Sequence, residues 1–157
     1  MDFVFHDGGR DAAGYKGSTG DCVTRSIAIA TGKPYQEVYD ALNELADSER
    51  LSKRKRKRSS SRTGVFRATY QRYLASLGWR WISTMKIGSG CQVHLRASEL
   101  PPGPLVVRVS RHLTAVVDGV IYDTHDCSRA GTRCVYGYFS LSDSPVSAIV
   151  LGHQKAA

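Results

Sequence analysis

A cysteine at the start of an apolar helix is the residue of this sequence best placed to do chemistry. Cys22 follows a small polar run and leads into an apolar segment that stops at Gly32. Thr19 and Asp21 are both suitable N-cap residues, so Cys22 lies in the first helical turn under either choice. Free backbone N–H groups and the positive end of the helix dipole favour a thiolate there. The pattern predicts a nucleophile, and the alternative is a small side chain that fills the core.

A β-hairpin is the clearest local structure in the second half of the chain. Asp118-Gly119 suits a two-residue turn between the strands His112–Val117 and Val120–Thr124. This context makes Asp118 a turn residue. The two-residue turn also fixes the register, which pairs Thr114 with Asp123.

The hairpin register brings a histidine and a carboxylate together. His112 lies two residues from Thr114, on the same face as Asp123 and diagonal to it, roughly 7–8 Å away between backbones. A carboxylate there would hold the imidazole in one tautomer and leave its other nitrogen for a thiol. We also expect Val116 and Ile121, on that same face, to pack toward the helix that bears Cys22.

Other potential ligands and bases lie nearby in the sequence. His125 falls opposite His112, where it is either a second partner of the imidazole or a strand-end residue. A zinc site is a further possibility, because Cys-x-x-His is a usable half-site, but the spacing of the second half is irregular. Ordinary reduced thiols are the simpler interpretation, so we expect no metal and no cofactor. The candidate zinc ligands are Cys91, His94, His125, Cys127 and Cys134.

The elements that position these residues come as helices first and strands second. After Gly32, Pro34 begins a second amphipathic helix, and a third ends at Leu77-Gly78. This order predicts an α+β fold in which N-terminal helices, including a central buried helix bearing Cys22, pack on a C-terminal antiparallel β-sheet. Besides the hairpin and a short N-terminal strand fragment, the expected strands are Trp79–Ser83, Leu105–Val109, Val135–Leu141 and Val146–Leu151.

The positive charge of the chain is concentrated in one segment. The net charge is +8, and residues 50–63 hold eight basic residues and no acidic one. Without them, 14 basic and 14 acidic residues remain, so the body is neutral. We expect one domain over residues 1–157 with a mobile basic insertion at about 50–63. It is either a sequence-independent phosphate-binding segment or a solvated linker, and its central cations are Lys53, Arg54, Lys55, Arg56, Lys57 and Arg58.

Composition also bears on the cellular compartment. No apolar run approaches the roughly 20 residues that span a bilayer, so we expect no membrane contact. The first residues have no basic lead-in and no cleavage region, so they do not indicate secretion. Four cysteines in 157 residues form no dense framework. These features predict reduced thiols and a cytoplasmic location.

Two segments together resemble a known superfamily. Gly20-Asp21-Cys22 begins a buried helix, and Arg-His-Leu-Thr-Ala-Val-Val-Asp-Gly-Val-Ile-Tyr-Asp follows at residues 111–123. This arrangement resembles the papain-like cysteine peptidases, closest to small bacterial and phage members with the order Cys, His, Asp or Asn. The resemblance implies that Cys22 attacks an acyl carbon, His112 shuttles the proton and Asp123 orients the histidine. It implies a peptide or protein substrate.

The chain departs from that family before the cysteine. Members commonly carry a glutamine there that helps to hold the oxyanion, whereas residues 16–21 contain none. The backbone N–H of Cys22, with Thr19 or Lys16, would have to substitute. The negative charge of Asp21 also disfavours a thiolate at Cys22, unless its carboxylate is engaged as the helix cap.

The expected function is a thiol-dependent hydrolase, such as a peptidase, a deamidase or a related acyl-transfer enzyme. The alternative is a non-enzymatic protein of a phage or other mobile element that binds nucleic acid or a partner through the basic segment. In that case Cys22 is core filling. The sequence leaves the oligomeric state open.

Overall fold

The computed structural model of the protein describes residues 1–141, so the expected strand Val146–Leu151 lies outside the described residues. The first half holds a short strand β1 and three helices, and the second half holds five strands and a 3₁₀ turn at Ala97–Glu99. The bounds are β1 Asp2–Phe5, α1 Cys22–Thr31, α2 Tyr35–Asp47, α3 Arg67–Ser76, β2 Trp79–Ser83, β3 Pro104–Val109, β4 His112–Val117, β5 Val120–Asp123 and β6 Val135–Leu141. The α+β class is confirmed.

The sheet is mixed, which corrects the expectation of a purely antiparallel one. Within residues 1–141 its strand order is β1-β5-β4-β3-β6-β2, and β1 runs parallel to β5. Parallel neighbours need a long crossover connection, and here all three helices and three strands separate β1 from β5. The remaining pairs are antiparallel.

The predicted hairpin register is confirmed by three backbone pairs. The structure pairs Val117 with Val120, Val116 with Ile121 and Ala115 with Tyr122. Asp118 occupies the turn with a φ of 49°, a left-handed conformation that aspartate tolerates. Its carboxylate accepts the backbone N–H of Gly103 at 2.8 Å, which supports the assignment of a turn residue.

The two faces of the sheet carry separate cores. The helices pack on one face, where Ile27 and Leu74 meet Phe139. Two loop regions, residues 84–103 and 124–134, supply side chains to the other face. The prediction that Val116 and Ile121 face α1 is wrong, because both belong to this second core.

The residues of β4 that do face α1 are the alternate ones. Leu113 and Ala115 lie in the core that includes α1, because successive side chains of a strand point to opposite faces. His112 is the first residue of β4, so its side chain reaches the start of α1 from the end of the strand. Because His112 lies at the end of its strand, its side chain can reach α1, although residues on its face of the sheet point away from α1.

Two of the four cysteines are linked, which corrects the expectation of reduced thiols. Cys91 and Cys134 form a disulfide with their Cα atoms 5.8 Å apart, and Cys22 and Cys127 are free. The bond joins the loop before β3 to the residue that precedes β6. His94 and Cys134 also form an isolated backbone bridge there.

The basic segment has two different halves. Leu51 to Arg58 are largely exposed, as expected of a charged insertion. By contrast, Ser59 and Ser61 are buried, and the backbone N–H of Ser61 donates to Asn43 Oδ1 at 2.9 Å. The end of the predicted insertion is therefore anchored to α2. None of the helices among residues 1–141 is long and apolar enough to cross a membrane.

Candidate active site

The ends of three elements bring Cys22, His112 and Asp123 together. Cys22 is the first residue of α1, His112 the first of β4 and Asp123 the last of β5. The thiol of Cys22 is hydrogen-bonded to the His112 ring and to the backbone N–H of Leu113. His112 Nε2 lies 2.7 Å from Asp123 Oδ2, which leaves Nδ1 for exchange with a thiol. The three residues that the sequence predicts as a catalytic set are thus in contact.

The surroundings of Cys22 favour its thiolate. Burial opposes the negative charge, but the hydrogen bond and positive charge of His112, the Leu113 N–H and the charge of Arg25 outweigh it. Together they lower the pKa of Cys22 below its ordinary value of 9.0. The lowered pKa is what a cysteine nucleophile requires, because the thiolate is the reactive form.

The histidine is held in its charged form. Burial disfavours the imidazolium, yet hydrogen bonds with Asp123, Cys127 and Cys22 raise the pKa of His112 to about 11. Burial likewise opposes ionisation of Asp123, and the hydrogen bonds from His112, Thr114 and the Thr124 backbone lower its pKa to about 2. The pKa shifts of the three groups therefore favour a thiolate–imidazolium pair beside an ionised carboxylate.

Asp21 does not oppose the thiolate, because its charge is already paired. It stands at the N-cap position of α1, but its side chain makes no cap hydrogen bond. Oδ1 accepts hydrogen bonds from Arg10 at 3.0 Å and Arg25 at 2.9 Å, and Oδ2 accepts one from the Tyr35 hydroxyl at 2.6 Å. The Asp21 carboxylate thus holds Arg10, Arg25 and Tyr35 together next to Cys22.

Arg25 is the structural residue of the site that sequence reasoning missed. Its side chain is only 7% exposed, and its Nη1 lies 3.1 Å from Asp123 Oδ1. It therefore joins Asp21, on the same helix, to Asp123 on the sheet. The available signal was a charged residue within an otherwise apolar helix, four positions after an aspartate.

The two side chains suggested by the sequence as oxyanion donors, Thr19 and Lys16, have other partners in the structure. The Thr19 hydroxyl donates to the Arg62 carbonyl at 3.0 Å, so its proton is already used. Lys16 is exposed and paired with Asp11 at 3.1 Å, and it does not line the cleft. The first intrahelical hydrogen bond runs from Arg25 N–H to Asp21 O. The N–H of Cys22 comes before the Arg25 N–H in the chain, so it has no partner within the helix. It is therefore the remaining oxyanion donor of the predicted set.

An open cleft gives access to the thiol. Its volume is about 640 Å³, and it reaches from the loop before α1 to the start of β4. Cys22 and His112 lie in its wall, as do the first residue of α3 and the turn between β3 and β4. Cys22 and His112 therefore face a space of substrate size.

His125 lies beside the predicted set but is not bonded within it. Its ring centre is 5.1 Å from that of His112, and its side chain is exposed. Potential ligand atoms of His112, Asp123 and His125 lie within 4.8 Å of one another. A metal ion held by all three would replace the hydrogen bond between His112 and Asp123.

The structure does not bring the candidate zinc ligands together into one site. Cys91 and Cys134 are joined to each other, which removes two thiolates from the proposed ligands. His94 Nδ1 lies 3.3 Å from Glu99 Oε1. Cys127 is buried, and its sulfur lies 3.9 Å from Asp123 Oδ2, next to the catalytic candidates.

The cations of the basic segment are mostly free to meet a partner. Lys55 pairs with Glu49 at 3.5 Å, and its ammonium lies 4.3 Å from the centre of the Phe66 ring. Arg58 donates from Nε to the Glu49 carbonyl oxygen at 3.3 Å. The exposed members are Lys53, Arg54, Arg56, Lys57 and Arg58. Binding of nucleic acid through this segment stays a prediction.

The fold and the site together define an α+β protein with a cysteine–histidine–aspartate constellation at the start of a buried helix. Comparison with known proteins adds no assignment to that description. No protein-family model, curated protein or solved structure matches the chain. The function must therefore be argued from the site itself.

Proposed function

We propose that this protein is a thiol-dependent hydrolase of the papain-like type, with Cys22 as nucleophile, His112 as proton shuttle and Asp123 as the residue that orients it. One observation carries the proposal. The thiol of Cys22 is hydrogen-bonded to His112, whose Nε2 lies 2.7 Å from a buried carboxylate, and the cleft opens on this pair. A nucleophile, a base and an orienting group in contact are the usual signature of covalent acyl transfer.

The reaction follows from the charges of the three groups. The Cys22 thiolate attacks the carbonyl carbon of an acyl substrate, and a sulfur–carbon bond forms. The imidazolium of His112 then protonates the departing amine or alcohol, which leaves a thioester on Cys22. Neutral His112 next removes a proton from water, the hydroxide attacks the thioester, and the acid and the thiolate are released. The sum is hydrolysis of one acyl bond by one water.

The backbone stabilises the negative oxygen formed during the attack. The Cys22 N–H lies at the N-terminus of α1, where amide groups without helical partners and the helix dipole favour an anion. Arg25 and Asp21 pair with each other below this point, so their charges do not compete for the oxyanion.

Acylation by a p-nitrophenyl ester tests the proposal, with Asp123→Asn and Asp118→Asn compared. Both changes replace a hairpin aspartate by its neutral isostere, but only Asp123 holds the imidazole. We expect Asp123→Asn to slow p-nitrophenolate release roughly 10²-fold, because general acid–base catalysis needs the oriented histidine. Asp118→Asn keeps the wild-type rate, since asparagine suits a left-handed turn.

Mass spectrometry of the quenched reaction locates the acyl group. The proposal requires the thioester on the peptide that contains Cys22. Acylation elsewhere, or equal rates for the two asparagine variants, would contradict it.

A further inference from the structure

Apart from the Cys22–His112 pair, the charged side chains that line the cleft are all arginines. Apart from Arg25, which is bound to Asp21 and Asp123, the cleft is lined by Arg67, Arg108 and Arg111. No aspartate or glutamate of residues 1–141 lines it. The basic character of the cleft is therefore independent of the exposed insertion at residues 51–58.

Two of these arginines are held in place by aromatic rings and not by carboxylates. The Arg67 guanidinium lies 4.8 Å from the centre of a Trp81 ring, and that of Arg108 lies 5.6 Å from the Tyr136 ring centre. Within the described part of the chain, neither forms an ion pair with an acidic side chain. Stacking fixes the position of a guanidinium and leaves its N–H donors available to an anion.

The same two arginines lie between the cleft and a second pocket. That pocket has a volume of about 530 Å³, and Arg67 and Arg108 belong to the walls of both cavities. Its other walls include Trp81, Tyr136 and the fully exposed Ile87. A chain that begins at Cys22 and continues into the second pocket passes both guanidinium groups.

From this geometry we infer that the substrate is an acidic peptide, in which an aspartate or glutamate next to the reacting acyl group is bound by Arg67 and Arg108. The inference rests on the proposed function. Guanidinium groups bind carboxylates with two parallel N–H···O bonds, and the uncompensated charges disfavour basic or neutral residues at this position. The aromatic pocket beyond them accepts an apolar side chain of the same peptide. A peptide is favoured over a nucleic acid because the arginines adjoin an acyl-transfer centre.

Two peptidyl vinyl sulfones that differ only in glutamate against glutamine next to the reactive group test this inference. The measurement is the rate of Cys22 labelling by each probe, for the wild type and for Arg67→Gln, Arg108→Gln and Arg72→Gln. Arg72 is the matched control, because it lies on the same helix as Arg67 but lines neither cavity. Iodoacetamide, which carries no charge, reports separately on the reactivity of the thiol.

We expect the wild type to react about tenfold faster with the glutamate probe, a preference that falls at high salt because ions screen exposed charges. The preference drops toward unity in Arg67→Gln and Arg108→Gln and stays in Arg72→Gln, which also keeps the wild-type iodoacetamide rate. The preference is the ratio of the two probe rates within one variant, so a change in the reactivity of the thiol itself cancels from it. Equal rates with the two probes, with Cys22 still reactive to iodoacetamide, would overturn the inference and leave the hydrolase proposal standing. A thiol inert to all three reagents would overturn the hydrolase proposal itself.

The competing class of ligand is also decided by this experiment. A short single-stranded RNA added to the labelling reaction is expected to leave the glutamate-probe rate unchanged. If the RNA blocks labelling of the wild type but not of Arg67→Gln or Arg108→Gln, the cleft is a nucleic-acid site and the inference is wrong.

Discussion

Replacing Cys22 by alanine is expected to reduce ester hydrolysis to the uncatalysed background, a loss on the order of 10⁴-fold or more. The variant removes the only sulfur of residues 1–141 that both lines the cleft and contacts His112. Covalent acyl transfer cannot begin without it. The measurement is p-nitrophenolate release at saturating ester, with circular dichroism as the check on folding.

The second free thiol provides the matched control for this variant. Cys127 is buried beside Asp123 and does not line the cleft. In Cys127→Ala, the thioester must still form at Cys22, although its rate can change because Cys127 contacts His112. Hydrolysis that persists in Cys22→Ala, or a thioester found on Cys127 in the wild type, would contradict the assignment of the nucleophile.

Replacing Arg25 by methionine is expected to lower the free energy of unfolding by about 3–5 kcal/mol, the usual cost of removing one partner from a buried ion pair. The change leaves Asp123 without its second charge partner and leaves Asp21 with Arg10 as its remaining one. Methionine keeps most of the side-chain volume, so the loss reports on charge and not on a cavity.

The comparison variant for Arg25→Met is Arg72→Met, which deletes the same charge from an exposed helical position. Surface changes of this kind are usually within about 0.5 kcal/mol. Urea denaturation of both variants measures the difference. Equal stabilities of the two variants would show that the buried network does not hold α1 to the sheet.

The central part of the site could be predicted because local rules determine it. A polar run before an apolar segment sets the start of α1, and a two-residue turn sets the register that aligns His112 with Asp123. Both depend on residues that are close in the sequence. Cys22 and His112 lie far apart in the sequence, so no local rule predicts their contact. The order of the elements and the family resemblance together indicated it.

The remaining features depend on contacts between distant segments, which no local rule supplies. Arg25 meets Asp123 across 98 positions, and β1 joins β5 from the other end of the described chain. The faces of Val116 and Ile121 were assigned wrongly because His112 approaches α1 from the end of its strand. The pairing of Cys91 with Cys134 was missed because the spacing of four cysteines does not determine which of them meet.

The rate of Cys22 alkylation by iodoacetamide against pH tests the central claim most directly. The thiolate is the reactive form, so a lowered pKa moves the rise of the rate to lower pH. His112 has a pKa raised to about 11, so it stays protonated and supports the thiolate throughout the neutral range. Peptide mass spectrometry distinguishes labelling of Cys22 from that of Cys127.

The wild type should therefore reach half of its maximal rate below the ordinary cysteine pKa of 9.0, and His112→Ala should shift that midpoint upward. This result would establish the charged pair on which the proposed hydrolase depends. A wild-type midpoint at or above 9.0, or one that His112→Ala leaves in place, would contradict it.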